Sequence, residues 1–524
     1  MRRWIKSMAV VVLLLAMPQL SFAQYFQGLY DVDTSQDWGV DICLQPDGNY
    51  FIKGTFISTT AYRWALVNMQ ISADGSTILS KHIVTFDDTN AYHGVNLYLG
   101  YPGQLLQLPG GRYIAPISEY IDYHDSTGSV VQRAWGGLIK YNVTGDTVFI
   151  KTYTDTPLYY GEMLSCAIVT DGGYLAGGQQ GLYTSSYPPG YLVRTDSMGD
   201  SIWAHTYQND TTQMAQINHI IPLADGRIVV AATSTRIENP GPNEYYYNAP
   251  WFMLLDSLGN IIRDTVYNVG FQGGGFLYPD MNGGYVSMGS FDSLYYSDPN
   301  DIRNFPSYIA HMDSNFRITW ITSFPFNAID NHREKWLVYQ LRDSSYIILG
   351  DQWLNTPPSN LGWAAKVNRS GGIVWNHYYQ SDTSNSSIIR DVVELPNGNL
   401  VFTGESYNDT LPTWHSGEDI WLLGVDSNGC ENEWCVPTRI NNMQPTNSSI
   451  LVYPNPATTI LSFQYAYQSS VTIKIIDITG RLMDEQTLQN STIASFNVAS
   501  YTPGIYLYQV ITNGKTQSGK VIVE

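Results

Sequence analysis

The sequence predicts an all-β chain, a seven-bladed β-propeller followed by a small C-terminal Ig-like β-sandwich. Three observations carry this. A tight turn recurs seven times within residues 24–437, with successive copies 63, 61, 54, 57, 61 and 54 residues apart. A second turn follows each copy, and apolar strands flank both. Only 14% of residues are charged, against roughly 25% in an average soluble domain, while 39 Tyr and 14 Trp exclude a disordered chain. A single core stops growing near roughly 250–300 residues, so 524 residues mean several domains or one repeat array.

The first turn reads Pro46-Asp47-Gly48-Asn49-Tyr50, Gly110-Gly111-Arg112-Tyr113, Asp171-Gly172-Gly173-Tyr174 and Asp225-Gly226-Arg227-Ile228. It continues as Asn282-Gly283-Gly284-Tyr285, Asp343-Ser344-Ser345-Tyr346 and Asn397-Gly398-Asn399-Leu400. Asp-Gly and Asn-Gly between apolar strands signal hairpins, because glycine accepts the positive φ of a tight turn. The second turn is Asp196-Ser197-Met198-Gly199, Asp256-Ser257-Leu258-Gly259, Asn368-Arg369-Ser370-Gly371 and Asp426-Ser427-Asn428-Gly429, with weaker copies at 72–75, 142–145 and 313–316. A tryptophan strand often follows, through Trp203, Trp320 and Trp375. Each copy therefore holds four strands, and seven such sheets arranged radially make a propeller. The competing open solenoid needs capping repeats with polar outer faces, and none is visible. The segment 25–31 has no hairpin partner of its own and is expected to complete the seventh sheet, leaving no open edge. Both tight turns fall on one face of the ring. The long connections fall on the other, where binding or catalysis usually sits.

Residues 1–23 read as a signal peptide: Arg2, Arg3 and Lys6 precede a short apolar run, and Ser21-Phe22-Ala23 predicts cleavage before Gln24. The alternative, a membrane anchor, needs about twenty apolar residues, and 8–17 is half that; no later stretch spans a bilayer as a helix. Cys430 and Cys435 are spaced so that a turn brings their sulfurs together, which predicts a local disulfide clipping a chain end. Cys43 and Cys166 lie in apolar strands and read as buried thiols, and no Cys/His couples are spaced for zinc.

The most specific signal is C-terminal. Ile450-Leu451-Val452-Tyr453-Pro454-Asn455-Pro456-Ala457 opens it, Asp477 with Gly480-Arg481 makes a turn, and Pro503-Gly504-Ile505-Tyr506 begins a late strand. Physically these residues form about seven short alternating strands, hence a small sandwich. The stretch resembles the type A sorting domain of the type IX (Por) secretion system of Bacteroidota, carried here by Tyr453, Pro454, Asn455, Pro456, Asp477, Gly480, Arg481, Gly504 and Tyr506. The resemblance covers about 75 residues. It implies passage through the periplasm, engagement of the type IX machinery, removal of the domain at the upstream linker 438–449, and release or attachment at the cell surface. The resulting boundaries are 1–23, 24–437, 438–449 and 450–524. The propeller repeat also loosely resembles secreted propellers that precede such domains, which implies no activity.

Chemistry is harder to find. His-Glu-x-x-His and Gly-x-Ser-x-Gly are absent. The nine histidines are scattered, and His93, His124, His332 and His415 read as solvated loop residues. The Asp-x-x-Gly turn differs from the sialidase aspartate box, where a single residue separates aspartate from glycine. Loop-face carboxylates such as Glu119, Asp122, Glu162, Glu238 and Glu405 could serve glycoside chemistry, but nothing in the sequence pairs them. Asp31-Val32-Asp33-Thr34-Ser35-Gln36-Asp37 alternates oxygens in the manner of a calcium loop without the glycine and distal glutamate of an EF-hand; no cofactor is expected, calcium being the one candidate. Tyr245, Tyr246, Tyr247, Tyr295, Tyr296, Trp353 and Trp414 fall in long connections and form a candidate surface for sugar rings or a protein partner. Asp-Ser/Thr-apolar triplets resemble an O-glycosylation sequon of exported Bacteroidota proteins.

The net charge is -19. The stretch from 450 balances Lys474, Arg481, Lys515 and Lys520 against Asp477, Asp484, Glu485 and Glu524, so the acidity belongs to the repeat region and its linker. Such a surface excludes nucleic acid as a partner. The expected function is an exported, non-enzymatic binding or adhesion module. The alternative is a secreted polysaccharide- or glycan-degrading enzyme with its site on the long-loop face, and a bare structural spacer is a third reading.

Overall fold

In a computed structural model the described residues are 25–32, 36–58, 63–84, 94–99, 104–124, 130–153, 159–182, 188–208, 214–238, 245–267, 272–290, 307–324, 331–353, 360–381, 386–407, 417–431, 451–453, 457–477, 481–512 and 515–523. Among them there is no helix. The chain separates into two compact units, Met1–Arg439 and Ile440–Glu524.

The first unit is a propeller-like succession of antiparallel sheets. Asp37–Leu44, Tyr50–Ser58, Arg63–Ile71 and Ile78–Val84 form one in chain order, and Tyr159–Ile168, Tyr174–Leu182, Gly190–Thr195 and Ser201–Tyr207 another. Two more begin at Met214–Pro222 and Gln272–Pro279. In the sheet between 94 and 152 the inner position is shared by Gly94–Leu99 and Leu106–Leu108, both paired with Arg112–His124. The last sheets, beginning at Asn331–Gln340 and Ser386–Glu394, are joined by one parallel bridge, Asn360 to Ser386. The strand Phe26–Tyr30 pairs with Glu418–Val425, matching Phe26 to Gly424 and Tyr30 to Ile420, so the start of the chain completes the last sheet.

Each sheet is buried on both faces, which is why its middle strands read as continuous apolar runs rather than alternating ones. In Tyr346-Ile347-Ile348-Leu349, Tyr346 and Ile348 pack with Val286 and Ile309 of the preceding sheet. Ile347 and Leu349 pack with Ile389 and Phe402 of the following one. The same alternation links every sheet to the next, and Ile42, Tyr50 and Ile52 of the first pack with Tyr30, Val401 and Ile420 of the last. The succession is cyclic. Outer strands such as Ile78–Val84 stay largely exposed.

Both predicted turn families share one geometry, from which the Gly110-Gly111 copy departs with positive φ at both glycines (81° and 72°). In the first, Leu223 N–H donates to Arg227 O at 2.8 Å and Gly226 N–H to Leu223 O at 3.0 Å; in the second, Asp256 N–H donates to Asn260 O and Gly259 N–H to Asp256 O. The fourth residue takes positive φ, usually as glycine (Gly226 at 87°, Gly259 at 86°). Two copies lack the glycine, and there Ser344 (65°) and Phe316 (64°) adopt the same left-handed backbone.

The second unit holds five described strands rather than about seven. Ile460–Asp477 and Leu482–Asn497 are 18 and 16 residues long, and a register break between Gln464 and Gln468 interrupts their pairing. Such a break lets one strand bend and serve two layers, so a long hairpin replaces two short ones. Its core gathers Leu461, Phe463, Ile473, Phe496 and Val521.

Candidate functional site

The inner strands carry a recurrent bulge. Register shifts fall between Gly39 and Asp41, Met163 and Ser165, Ile217 and His219, Lys335 and Leu337, and Ile389 and Asp391. A bulge inserts one residue and re-aims the next. Asp41, His219 and Asp391 each stand directly after one, and they build a polar belt between neighbouring inner strands. Asp391 Oδ2 accepts from Ile42 N–H at 2.9 Å, and Oδ1 from Val392 N–H at 2.8 Å. Asp41 Oδ1 accepts from Gln104 N–H at 3.0 Å, and Gln104 Oε1 accepts from Cys166 N–H at 3.1 Å. His219 Nδ1 bonds the Leu277 carbonyl. Arg342 donates its backbone N–H to Glu394 Oε2 at 2.9 Å and its guanidinium to Leu395 O at 3.0 Å.

Within this belt Lys53 Nζ lies 2.6 Å from Asp41 Oδ2, both side chains wholly buried. Burial, then the charge of Asp41, pushes the Asp391 carboxyl well above the usual carboxylate range. Burial pushes His219 down to about 4, which keeps its ring neutral. Cys43 and Cys166 are free thiols; burial pushes Cys166 up to about 12, and each donates to a nearby carbonyl at 3.5 Å.

The belt borders a cavity of about 640 Å³ whose walls include Ile42, Leu105, Ile221, Tyr278, Leu337, Tyr339 and Val392. These residues lie in the C-terminal halves of the inner strands or beside them, which places the described cavity toward the tight-turn side of the axis. The expectation put it on the long-loop side, where 183–187, 239–244, 291–306, 354–359 and 408–416 lie outside the described residues.

The predicted aromatic surface is redistributed. Tyr245, Tyr246 and Tyr247 are strand residues, paired with Glu238, Ile237 and Arg236 in the hairpin of Ile228–Glu238 and Tyr245–Leu255. Trp353 ends the strand Tyr346–Trp353 opposite Asn331 and Asn360. The correction has a simple cause: aromatic residues fit a paired strand as readily as a loop, so the hairpins run further than the turn signals suggest. Tyr295, Tyr296 and Trp414 lie outside the described residues, as do Cys435, residues 1–23 and the linker 438–449. Cys430 is buried and has a partner. Of the loop-face carboxylates, Glu405 forms a two-pronged ion pair with Arg390, both contacts at 2.8 Å, and Glu162 accepts from Gln179 at 2.9 Å. Asp31 and Asp37 of the predicted calcium loop converge with Asp419, to which the loop pattern did not point. Burial, with the charges of Asp31 and Asp419 adding, pushes Asp37 up to about 8.

The sorting residues cluster in part. Asp477 closes the strand Ile460–Asp477, accepts Arg481 N–H at 3.0 Å and pairs with the Arg481 guanidinium at 3.0 Å. It stands opposite Tyr506, whose hydroxyl donates to Thr502 O at 2.8 Å. Gly504 opens that strand opposite Val523, and Tyr453 ends Leu451–Tyr453. Pro454, Asn455, Pro456 and Gly480 are outside the described residues.

Sequence reasoning missed the belt. Its signal was available: Asp41 and Lys53 are single charges inside the runs Val40-Asp41-Ile42 and Ile52-Lys53-Gly54, and Asp391 sits with Arg390 between Ile389 and Val392. A charge in a strand buried on both faces must be paired or hydrogen-bonded there.

Residues 451–524 match the family described as the secretion system C-terminal sorting domain. That match marks the chain as one secreted or attached to the cell surface through the type IX system. No curated protein matches the chain. Among solved structures, PorZ, a surface component of the type IX secretion system of Porphyromonas gingivalis, aligns at 10% identity over 91% of this chain and 69% of its own, with a TM-score of 0.29. A protein of unknown function from Dyadobacter fermentans aligns at 12% identity over 76% and 98%, with a TM-score of 0.42. The α-L-arabinofuranosidase Arb93A of Fusarium graminearum aligns at 9% identity over 77% and 98%, with a TM-score of 0.37. Similarity at this level carries no activity across. Among the described residues no helix is long and apolar enough to cross a membrane.

Proposed function

We propose that this chain is an exported binding or adhesion module: a signal peptide at 1–23, a seven-bladed propeller at 24–437 clipped by a Cys430–Cys435 disulfide, and an Ig-like sorting domain at 450–524. Its ligand is a glycan or a protein at or beyond the cell surface. The observation that supports binding over catalysis is the state of the carboxyl groups on the cavity wall. Asp391 accepts two backbone N–H groups and Glu394 accepts one from Arg342, so both serve the framework. General acid–base work needs a carboxyl within reach of substrate and free to exchange its proton. Apolar and aromatic walls with few polar groups suit recognition.

The test is a glycan array read beside a hydrolysis screen on the same secreted protein. Binding without turnover is the expected result. Turnover that disappears in Glu405→Gln or Glu162→Gln transfers the assignment to a glycan-degrading enzyme, and silence in both assays leaves a structural spacer.

A further inference from the structure

The seam where the ring closes brings together carboxylates from both ends of the first unit. Asp31 follows the strand Phe26–Tyr30, Asp37 opens the first inner strand, and Asp419 lies in Glu418–Val425, the strand to which Phe26–Tyr30 is paired. One oxygen from each lies within 4.8 Å of the others. Asp37 is wholly buried. Its Oδ2 accepts from Val32 N–H at 2.6 Å, and its Oδ1 has no hydrogen-bond partner among the described residues. The neighbouring cation, Lys81, donates its Nζ to the Val32 carbonyl at 2.7 Å.

Three carboxyl groups around a buried oxygen without a hydrogen bond form an arrangement that a hard cation can occupy, displacing any proton they hold. The donors are all oxygen, which disfavours zinc and copper. Magnesium demands near-ideal octahedral geometry, keeps several of its waters and is usually held by one or two carboxylates, whereas calcium accepts several carboxylates in flexible geometry. Three converging carboxyl groups, with oxygens within 4.8 Å of one another, therefore favour calcium. The exposed side of Asp31 leaves room for water to fill the remaining coordination.

We propose that Asp31, Asp37 and Asp419 form a calcium site that pins the closing strand to the first and last sheets. The ion joins the same chain ends that meet through the pairing of Phe26–Tyr30 with Glu418–Val425 and through the shared core of Tyr30, Ile42 and Ile420, so it adds to the stability of closure.

The experiment uses the full secreted chain, stripped with EDTA and titrated with calcium. The thermal unfolding midpoint rises with free calcium, as for any ligand bound by the folded form alone. Terbium supplies a second readout: Trp38 and Trp421 adjoin the site in sequence and sensitise its emission, which calcium then displaces. In Asp31→Asn and Asp419→Asn the calcium affinity falls at least about tenfold, while the midpoint in EDTA is unchanged or higher because repulsion is relieved. Asp37→Asn abolishes the response; should it fail to fold, the other two variants decide. A midpoint indifferent to millimolar calcium overturns the site. So does an equal response to magnesium, or a calcium response retained in both Asp31→Asn and Asp419→Asn.

Discussion

The hydroxyl of Tyr30 donates a hydrogen bond to the carbonyl of Gly75, the positive-φ residue of the second turn in the first sheet. The same bond recurs around the unit, from Tyr153 to Gly199 at 3.0 Å, Tyr207 to Gly259 at 2.7 Å and Tyr379 to Gly429 at 2.9 Å. In each case the last residue of an outer strand, or one just beyond it, ties its sheet to a turn of the next sheet. Tyr30 occupies this position although it lies near the start of the chain, so the closing strand forms the same latch as strands laid down in order. Tyr30→Phe is expected to lower stability by about 0.5–1.5 kcal/mol, the net worth of one hydrogen bond. Tyr379→Phe should cost a similar amount, and urea unfolding of the two variants checks the equivalence. A Tyr30 variant indistinguishable from wild type would remove the latch from the account of closure.

The two turns without glycine should respond in opposite directions to receiving one. Ser344→Gly relieves a left-handed backbone costing roughly 1–2 kcal/mol and returns part of that through a more flexible unfolded chain. A net gain of about 0.5–1 kcal/mol is expected. Phe316→Gly relieves the same strain but removes a ring that is 1% exposed and packs on Phe252, Tyr285 and the Arg263 guanidinium. Loss of a buried ring costs about 3–5 kcal/mol, so this variant should be clearly destabilised. Denaturant midpoints read both signs.

His219 sets a pH dependence. Its folded-state value is depressed to about 4 from an ordinary 6.5, so the unfolded chain binds a proton that the native state refuses. Its contribution to stability is therefore full above about pH 6.5 and falls as the pH drops toward 4. His219→Asn can keep a donor toward the Leu277 carbonyl without the titration. Urea midpoints at pH 7 and pH 5 should differ less in this variant than in wild type.

The buried Asp41–Lys53 pair should show the asymmetry of internal ion pairs. Lys53→Met strands the Asp41 carboxylate and is expected to cost about 3–5 kcal/mol. Adding Asp41→Asn should recover much of that loss, because an amide oxygen can still accept from Gln104 N–H. A double variant as unstable as the single one would show that packing around Lys53, rather than charge, is what matters.

Export has its own test. A chain lacking residues 450–524 should accumulate in the periplasm, read by fractionation, and normal surface display of the truncation would contradict the route.

The repeat was legible because its marks are local. A turn that needs positive φ selects glycine after Asp or Asn wherever it occurs, and Trp203, Trp320 and Trp375 mark the outer strands that pack on Gly259, Gly371 and Gly429 of the following sheets. The sorting stretch was legible for the same reason, since its motif residues sit in strands and turns a few positions apart. Tyr245–247 and Trp353 were misplaced because strand extension beyond a sheet depends on the partner strand, which local sequence does not reveal.

The sequence by itself therefore determined the sheets, their order and the secretion address, since hairpins and motifs are written in neighbouring residues. Tertiary structure alone decided which charges meet. Asp41 with Gln104, Asp391 with Ile42, and Asp31 with Asp37 and Asp419 all depend on bulges that re-aim a side chain and on a ring closed by its own first strand. The bulges leave no mark in the residues around them, because a bulge in an inner strand here needs no glycine; the unpartnered segment 25–31 foretold closure, but not which carboxyl groups it brings together, because closure joins segments at opposite ends of the unit.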